Sequence, residues 1–170
     1  MNPVVKIVLE DGRSIKIELY PEYAPLSVNN FLELVDKKFY DGVIFHRVIE
    51  NFMIQTGGYY IEDNTLKEKE SDKKIKGEFI KNGVNNPLKH KFGTISMART
   101  NEMNSATSQF FLCSVDTPHL DGMYAAFGKA CDEESLAVIK EISEVPTGVL
   151  SYAFQNFPYE PITIKTIERI

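Results

Sequence analysis

The chain has 170 residues, of which 43% are hydrophobic and 25% are charged. This composition predicts one globular domain over residues 1–170 and argues against a disordered, collagen-like or coiled-coil protein. With 24 acidic and 19 basic residues the net charge is −5, which argues against a nucleic-acid-binding protein. Two cysteines are too few for a disulfide framework, and tryptophan is absent.

The N-terminal segment lacks the pattern of a targeting sequence. Its apolar stretch from Val4 to Leu9 is interrupted by Lys6 and followed at once by acidic residues, whereas a secretory signal needs an apolar core of about 7–15 residues. No stretch of the chain approaches the ~18 apolar residues that span a bilayer. We therefore expect a cytoplasmic protein with reduced thiols that does not associate with membranes.

A hairpin and a helix are the first predicted elements in chain order. The segments Val4–Leu9 and Ser14–Leu19 lie on either side of an Asp-Gly pair, which is suited to a tight turn. Apolar residues spaced as i, i+3, i+4 and i+7 then predict a helix from about Pro25 to Phe39. Pro25 fits the first turn, because the N–H that it lacks would be unpaired there.

Short strands and one further helix follow. Five apolar and aromatic segments bounded by Gly, Asn, Asp or Pro predict strands. They are Phe45–Val48, Met53–Thr56, Gly93–Ala98, Ser108–Val115 and Tyr124–Lys129. A helix is predicted over Asp132–Val145, since three acidic residues at its start favour the positive end of the helix dipole. Ile162 and Ile164 belong to a predicted closing strand.

The stretch from Tyr59 to Lys91 has the weakest pattern. Within it Lys67–Lys76 carries five lysines and three acidic residues, and the alternating signs favour a solvated loop over a basic docking patch. Many short strands with two separate helices predict a mainly β protein, either a barrel or a sandwich, with helices covering its openings.

Common site patterns are absent from the sequence. It contains no phosphate-binding glycine loop, no Cys-x-x-Cys, no His-Glu-x-x-His and no Gly-x-Ser-x-Gly. His46, His90 and His119 are far apart in the chain, and Cys113 lies in an apolar strand where a buried, inert thiol is expected. We therefore expect no metal, no cofactor and no covalent catalysis.

Two ordered groups of residues carry the functional signal instead. The first reads FHRVI at 45–49 and FMIQTGG at 52–58. The second reads GTISMART at 93–100, NSATSQFF at 104–111, LDG at 120–122 and FGK at 127–129. Together they resemble the signature of the cyclophilin-type peptidyl-prolyl cis-trans isomerases, in the form of the bacterial single-domain branch. Weaker similarity extends over nearly the whole chain.

This resemblance implies a fold, an activity and a site. The fold is a closed eight-stranded antiparallel β-barrel with an α-helix over each end, and the site lies on the outer face of the barrel. The reaction is rotation about the X–Pro amide, in which no bond is broken, so neither a cofactor nor a metal is implied. Arg47 matches the catalytic arginine of the family, which stabilises the twisted amide; from the residue alone, a surface arginine paired with an acid is an equal alternative.

The resemblance also assigns substrate-binding residues. The pocket for the proline ring is matched by Phe52, Met53, Phe111 and Leu120. Two polar side chains that bind the substrate backbone and orient the arginine are matched by Gln55 and Gln109. An edge segment whose backbone pairs with an extended peptide is matched by Ala98 and Arg99, of which the Arg99 side chain is not required.

Two positions depart from the animal members of the family. Those proteins have a tryptophan beside the pocket and a histidine further along the same face, and the corresponding residues here are His119 and Tyr124. Tyr124 keeps an aromatic edge and a hydroxyl donor, so isomerase activity is expected to be intact. His119 lacks the indole N–H that donates to the drug cyclosporin, so we expect only weak cyclosporin binding.

The expected partners are therefore proline-containing peptides and unfolded or folding proteins, bound by a monomer. Two alternatives to an enzyme stay open from the sequence. One is a non-catalytic proline-peptide-binding module or chaperone that uses the same groove. The other is a regulatory scaffold that docks partners through the charged segment Lys67–Lys76.

Overall fold

The computed structural model describes all residues from 1 to 170 and contains twelve strands and two α-helices. The strands are β1 (Val4–Leu9), β2 (Ser14–Leu19), β3 (Arg47–Ile49), β4 (Met53–Thr56), β5 (Tyr59–Glu62), β6 (Thr65–Glu68), β7 (Thr94–Met97), β8 (Phe110–Cys113), β9 (Ala126–Ala130), β10 (Thr147–Gly148), β11 (Phe157–Pro158) and β12 (Ile164–Arg169). The helices are α1 (Pro25–Asp36) and α2 (Glu133–Ser143). Single 3₁₀ turns lie at Ile80–Asn82 and Pro118–Leu120.

Eight of the strands form one antiparallel sheet in the order β12-β1-β2-β9-β7-β8-β4-β3. The two edge strands, β12 and β3, are not paired along their lengths. The two ends of the sheet are joined instead by the segment that precedes β3. Phe45 donates its N–H to the carbonyl of Ile162 (3.0 Å), and Ile164, the first residue of β12, donates its N–H to the carbonyl of Val43 (2.8 Å). The predicted eight-stranded antiparallel architecture is confirmed, although its description as closed was slightly overstated.

The barrel interior is filled by one face of each strand and by helix α1. Alternate residues of β1 and β2 are fully buried, as period-2 strands with one dry face require. From α1, the ring of Phe31 contacts the rings of Tyr40, Phe110 and Phe127 at centroid distances of 5.3–5.5 Å. Helix α2 packs against β2, β3, β4 and β9. The two helices therefore complete the packing of the barrel, as the sequence predicted.

A second apolar cluster lies on the outer face of the same sheet. Strand β8 is buried along its whole length: Phe110 and Leu112 belong to the interior core, whereas Phe111 and Cys113 belong to the outer cluster with Met53 and Leu120. Burial raises the pKa of the Cys113 thiol to about 11, so this side chain is the inert buried thiol that was expected.

Element boundaries differ from the sequence predictions in definite ways. Helix α1 ends at Asp36 instead of Phe39, because Lys38 adopts a left-handed conformation with φ of 59°. The β5–β6 hairpin forms inside the stretch with the weakest pattern, so the solvated-loop prediction was wrong for Lys67 and Glu68, which lie in β6. The β10–β11 hairpin was not predicted at all. Neither α-helix is long and apolar enough to cross a membrane.

The N-terminus of α1 is capped by a distant carboxylate. Ala24 occupies the cap position and provides no side-chain hydrogen bond. The buried carboxylate of Glu78 accepts hydrogen bonds from the backbone N–H groups of Leu26 (3.1 Å) and Ser27 (2.7 Å) and from the Ser27 hydroxyl (2.7 Å). These N–H groups have no partner within the helix, and a negative charge is favourable at this end of the helix dipole.

We predict that Glu78→Ala lowers the free energy of unfolding by about 2–3 kcal/mol, because it leaves buried donors without their charged acceptor. Urea denaturation measures this change. Glu134→Ala is the matched control, since Glu134 is an exposed carboxylate in the first turn of α2 and should contribute less than about 1 kcal/mol. Equal losses in the two variants would contradict the assigned cap.

Candidate active site

A cleft with a cavity volume of about 280 Å³ opens on the outer face of the sheet. Fourteen residues line it: His46, Arg47, Phe52, Met53, Gln55, Tyr59, Ala98, Arg99, Phe111, Leu120, Tyr124, Ala153, Phe154 and Gln155. Nine of them are among the site residues predicted from the sequence. The structure thus brings together, in one concave surface, residues from strands β3, β4 and β8 and from segments up to about a hundred positions apart.

A row of side chains crosses three adjacent strands. Arg47 lies opposite Gln55 in the β3–β4 pairing, and Gln55 lies opposite Phe111 in the β4–β8 pairing. The guanidinium Nη1 of Arg47 donates to Oε1 of Gln55 (3.2 Å), and Nε2 of Gln55 donates to Oε1 of Gln109 (3.0 Å). Gln109 does not line the cleft itself, and it is connected to the guanidinium of Arg47 only through Gln55.

Arg47 is exposed and has no acidic partner. The seven ion pairs of the structure all involve other residues. The alternative interpretation of Arg47, as a surface arginine paired with an acidic residue, therefore does not agree with the structure. Since an arginine keeps its charge at any relevant pH and has five N–H donors, Arg47 retains donors that face the cleft after its bond to Gln55.

One part of the cleft is an apolar pocket. Met53, Phe111 and Leu120 form its buried surface, with Phe52 and Tyr124 packed against them. Tyr124 meets Phe111 edge to face, with a centroid distance of 5.9 Å and an interplanar angle of 85°. An uncharged concavity of this kind suits a compact apolar group such as a proline ring.

Buried His90 supports this pocket from behind. Its ring stacks on Phe111 at 6.0 Å and 17°. Nδ1 lies 3.0 Å from Oδ1 of Asp121, and Nε2 lies 2.9 Å from the hydroxyl of Ser96. Burial lowers the pKa of His90, although Asp121 opposes the shift, so a neutral ring donates to Asp121 and accepts from Ser96. Sequence reasoning considered His90 only as a metal ligand and missed this supporting role.

The predicted peptide-pairing edge is partly occupied within the chain. The N–H of Ala98 is donated to the carbonyl of Gln109 (3.0 Å), so this donor is unavailable to a peptide. The Arg99 guanidinium donates to the carbonyls of Met123 (2.6 Å from Nη2) and Thr100 (2.9 Å from Nη1). It also lies 4.6 Å from the centre of the Tyr124 ring, so Arg99 positions one side of the apolar pocket.

His119 is found at the rim of the site. Its ring stacks on Phe52, with a centroid distance of 5.5 Å and an angle of 29° between the planes. The side chain is exposed and does not line the cleft. Of the eleven predicted site residues, His119 and Gln109 are thus the two that lie outside the lining.

Five lining residues were missed by sequence reasoning: His46, Tyr59, Ala153, Phe154 and Gln155. His46 lies in the FHRVI motif directly before Arg47, and this position was the one feature of the sequence that could have identified it as a site residue. Its side chain is only 6% exposed and its Nδ1 has no hydrogen-bond partner. Burial, with a smaller effect of the Arg47 charge, lowers the pKa of His46 to about 4. The other four residues had no recognised pattern.

The depressed pKa of His46 predicts a stability that depends on pH. Between about pH 6.5 and about pH 4 the unfolded chain binds a proton at this histidine that the folded chain does not bind. The contribution of His46 to the free energy of unfolding is therefore complete above about pH 6.5, decreases as the pH falls and is gone at about pH 4. The full contribution is about 3 kcal/mol. Urea denaturation between about pH 7 and pH 4 measures it.

His46→Phe should flatten this pH dependence, whereas His119→Phe, which replaces an exposed histidine, should leave it unchanged. His90 remains in both variants, so its similar effect cancels in the comparison. A slope that is the same in wild type and His46→Phe would show that His46 does not titrate in this way.

Comparisons with known proteins agree with this geometry. The model of the family described as "Cyclophilin type peptidyl-prolyl cis-trans isomerase/CLD" matches residues 4–169. A peptidyl-prolyl cis-trans isomerase of Acinetobacter baylyi is 41% identical over 172 residues, which cover 98% of this chain and 85% of that protein. Peptidyl-prolyl cis-trans isomerase B of Escherichia coli is 37% identical over 161 residues, covering 90% and 92%.

Solved structures give the same result. A cyclophilin type peptidyl-prolyl cis-trans isomerase of Cryptosporidium parvum has a TM-score of 0.79 and 26% identity, covering 100% of this chain and 98% of that chain. A structure of that protein in the presence of the dipeptide Ala-Pro has a TM-score of 0.77 and 31% identity, covering 96% of each chain. The chain therefore belongs to the cyclophilin-type peptidyl-prolyl cis-trans isomerase family.

Proposed function

We propose that the protein carries out the peptidyl-prolyl cis-trans isomerisation of its family by using Arg47 to stabilise the twisted X–Pro amide. The barrier to this rotation, about 20 kcal/mol, comes from the loss of C–N resonance. As the amide twists, the prolyl nitrogen becomes pyramidal and gains a localised lone pair. A donor directed at that nitrogen stabilises the twisted state and has little effect on either planar state, which is the condition for catalysis.

The observation that carries this proposal is the placement of an arginine without an acidic partner beside an apolar pocket. The pocket around Phe111 holds the proline ring, so that the preceding carbonyl is the part that swings. Gln55 and Gln109 hold the guanidinium in one orientation, and fixed donors need no reorganisation during the reaction. Each tenfold acceleration requires about 1.4 kcal/mol of binding that exists only in the twisted state.

Proline-peptide binding follows from membership of the family, and we propose that the physiological partners are unfolded or folding proteins in the cytoplasm. The cleft is open on the surface, so it admits a proline within a longer chain. That the protein acts as a monomer stays a prediction. Both cysteines are free, as in a reducing compartment, and a net charge of −5 disfavours nucleic acid as a partner.

A non-catalytic peptide-binding module would use the same cleft. It would hold the proline ring in the apolar pocket but would not depend on a donor at the prolyl nitrogen. The exposed guanidinium without an acidic partner favours the enzyme, and substitution of Arg47 separates the two functions because binding and turnover then change differently.

We predict that Arg47→Ala lowers kcat/KM for cis-to-trans relaxation of a short X–Pro peptide by about 10²- to 10³-fold, the usual cost of removing one transition-state donor. Arg47→Lys should recover only part of this loss, because it restores the charge without the planar donors. Arg13→Ala is the matched control, since Arg13 is a surface arginine paired with Asp11 and Glu141. Equal rates for wild type and Arg47→Ala, with both proteins folded, would refute the role of Arg47.

We also predict that the protein binds cyclosporin weakly and that His119→Trp tightens binding by about tenfold, the combined effect of one hydrogen bond and added aromatic contact. Isothermal titration calorimetry measures the Kd. His119→Phe is the control, because it adds apolar ring surface without an N–H donor. Tight binding by the wild type that His119→Trp leaves unchanged would overturn the prediction.

A further inference from the structure

The cleft contains a second aromatic surface next to Arg47 that the isomerase mechanism does not use. His46, Tyr59 and Phe154 all line the cleft. The rings of His46 and Tyr59 are 4.7 Å apart, those of Tyr59 and Phe154 are 4.9 Å apart, and those of His46 and Phe154 are 6.5 Å apart. We call these three residues the aromatic wall. No ring–ring contact joins the wall to the rings around Phe111.

The β10–β11 hairpin holds Phe154 in this position. Its tip is a tight turn in which Leu150 donates to the carbonyl of Phe154 (2.9 Å) and Phe154 donates to Ser151 (3.1 Å). Val48, the residue after Arg47, donates its N–H to the carbonyl of Asn156 (2.9 Å). The hairpin is thus attached to strand β3 directly beside the proposed catalytic arginine.

A second ring supports Phe154 from within the hairpin. Phe157 in β11 meets Phe154 edge to face, with a centroid distance of 6.3 Å and an angle of 88°. Phe154 is half-buried and so keeps part of its ring accessible. A fixed aromatic ring with an accessible part is a good anchor for an apolar side chain, because little conformational entropy is lost on binding.

The charges of the cleft indicate which side chains the wall accepts. The His46 ring is neutral near pH 7, since its pKa is lowered to about 4, so the wall is uncharged. The charged residues that line the cleft are Arg47 and Arg99, both positive. A lysine or arginine side chain of the substrate would therefore be desolvated next to charges of the same sign, which disfavours its binding. An aromatic or large aliphatic side chain instead gains apolar contact.

We propose that His46, Tyr59 and Phe154 form a second substrate subsite, which selects an aromatic or large aliphatic side chain on a residue that flanks the X–Pro pair. This inference rests on the proposed function, because it assigns a sequence preference to the same substrate class. Phe154 of the hairpin completes this subsite, which is separate from the pocket that holds the proline ring.

The test uses three peptides that share Ala-Pro: one with alanine on both sides, one with Phe on the N-terminal side and one with Phe on the C-terminal side. We expect one of the two Phe peptides to have a higher kcat/KM than the alanine peptide in the wild type, mainly through KM. Phe154→Ala should reduce this preference by about 2- to 10-fold, the usual strength of an aromatic pair.

Two further variants make the result specific. Tyr152→Ala removes the fully exposed aromatic side chain of the same hairpin, which does not line the cleft, and should leave the preference as in the wild type. Phe154→Leu keeps apolar bulk and should retain part of the preference, which distinguishes loss of the contact from loss of the hairpin fold.

The outcomes separate this inference from the proposed function. If the wild type isomerises all three peptides equally, or if Phe154→Ala keeps the full preference, the subsite is refuted while the isomerase activity stands. If no peptide is isomerised, the proposed function fails. The subsite is then decided by NMR titration: a Kd preference for one Phe peptide that Phe154→Ala reduces supports it, and equal Kd values refute it.

Discussion

The site of this protein depends on one strand that is buried on both faces. In β8, Phe110 and Leu112 face the barrel interior, and Phe111 and Cys113 face the outer cluster. Because side chains alternate across a strand, a one-residue shift in register would exchange the two sets. The packing of the core therefore fixes where Phe111 lies, and Phe111 in turn forms part of the apolar pocket that we propose for the proline ring. His90 adds a second constraint by stacking on Phe111 from behind.

The distribution of charge in the cleft follows from burial. The two buried histidines at the site, His46 and His90, have lowered pKa values because water is excluded from them, so they serve as neutral aromatic or hydrogen-bonding groups. Arg47 is exposed and keeps its charge without a carboxylate to neutralise it. The proposed mechanism uses this charge, since it needs a held proline ring and a donor that acts when the amide nitrogen acquires its lone pair.

Local sequence patterns predicted most of the helices and strands. Alternating apolar residues placed β1 and β2 at their observed bounds, and the i, i+3, i+4 spacing placed α1 to within three residues at its end. The β5–β6 hairpin escaped detection because its strands are short, partly exposed and rich in charge, so that no dry face marks them. The resemblance of two motifs to the family predicted nine of the lining residues. It did not predict that His119 lies outside the lining and stacks on Phe52.

By itself, the sequence determined the mainly β content and the two helices through local periodicity. The eight-stranded antiparallel architecture and the candidate set around Arg47 came from the resemblance of its motifs to the family. The tertiary structure alone decided three things. Glu78 caps a helix 51 residues away, the Gly42–Phe45 segment joins the two ends of the sheet, and the β10–β11 hairpin brings Phe154 to His46. Such contacts leave no periodic trace in the sequence, since they depend on how distant segments pack once the core has formed.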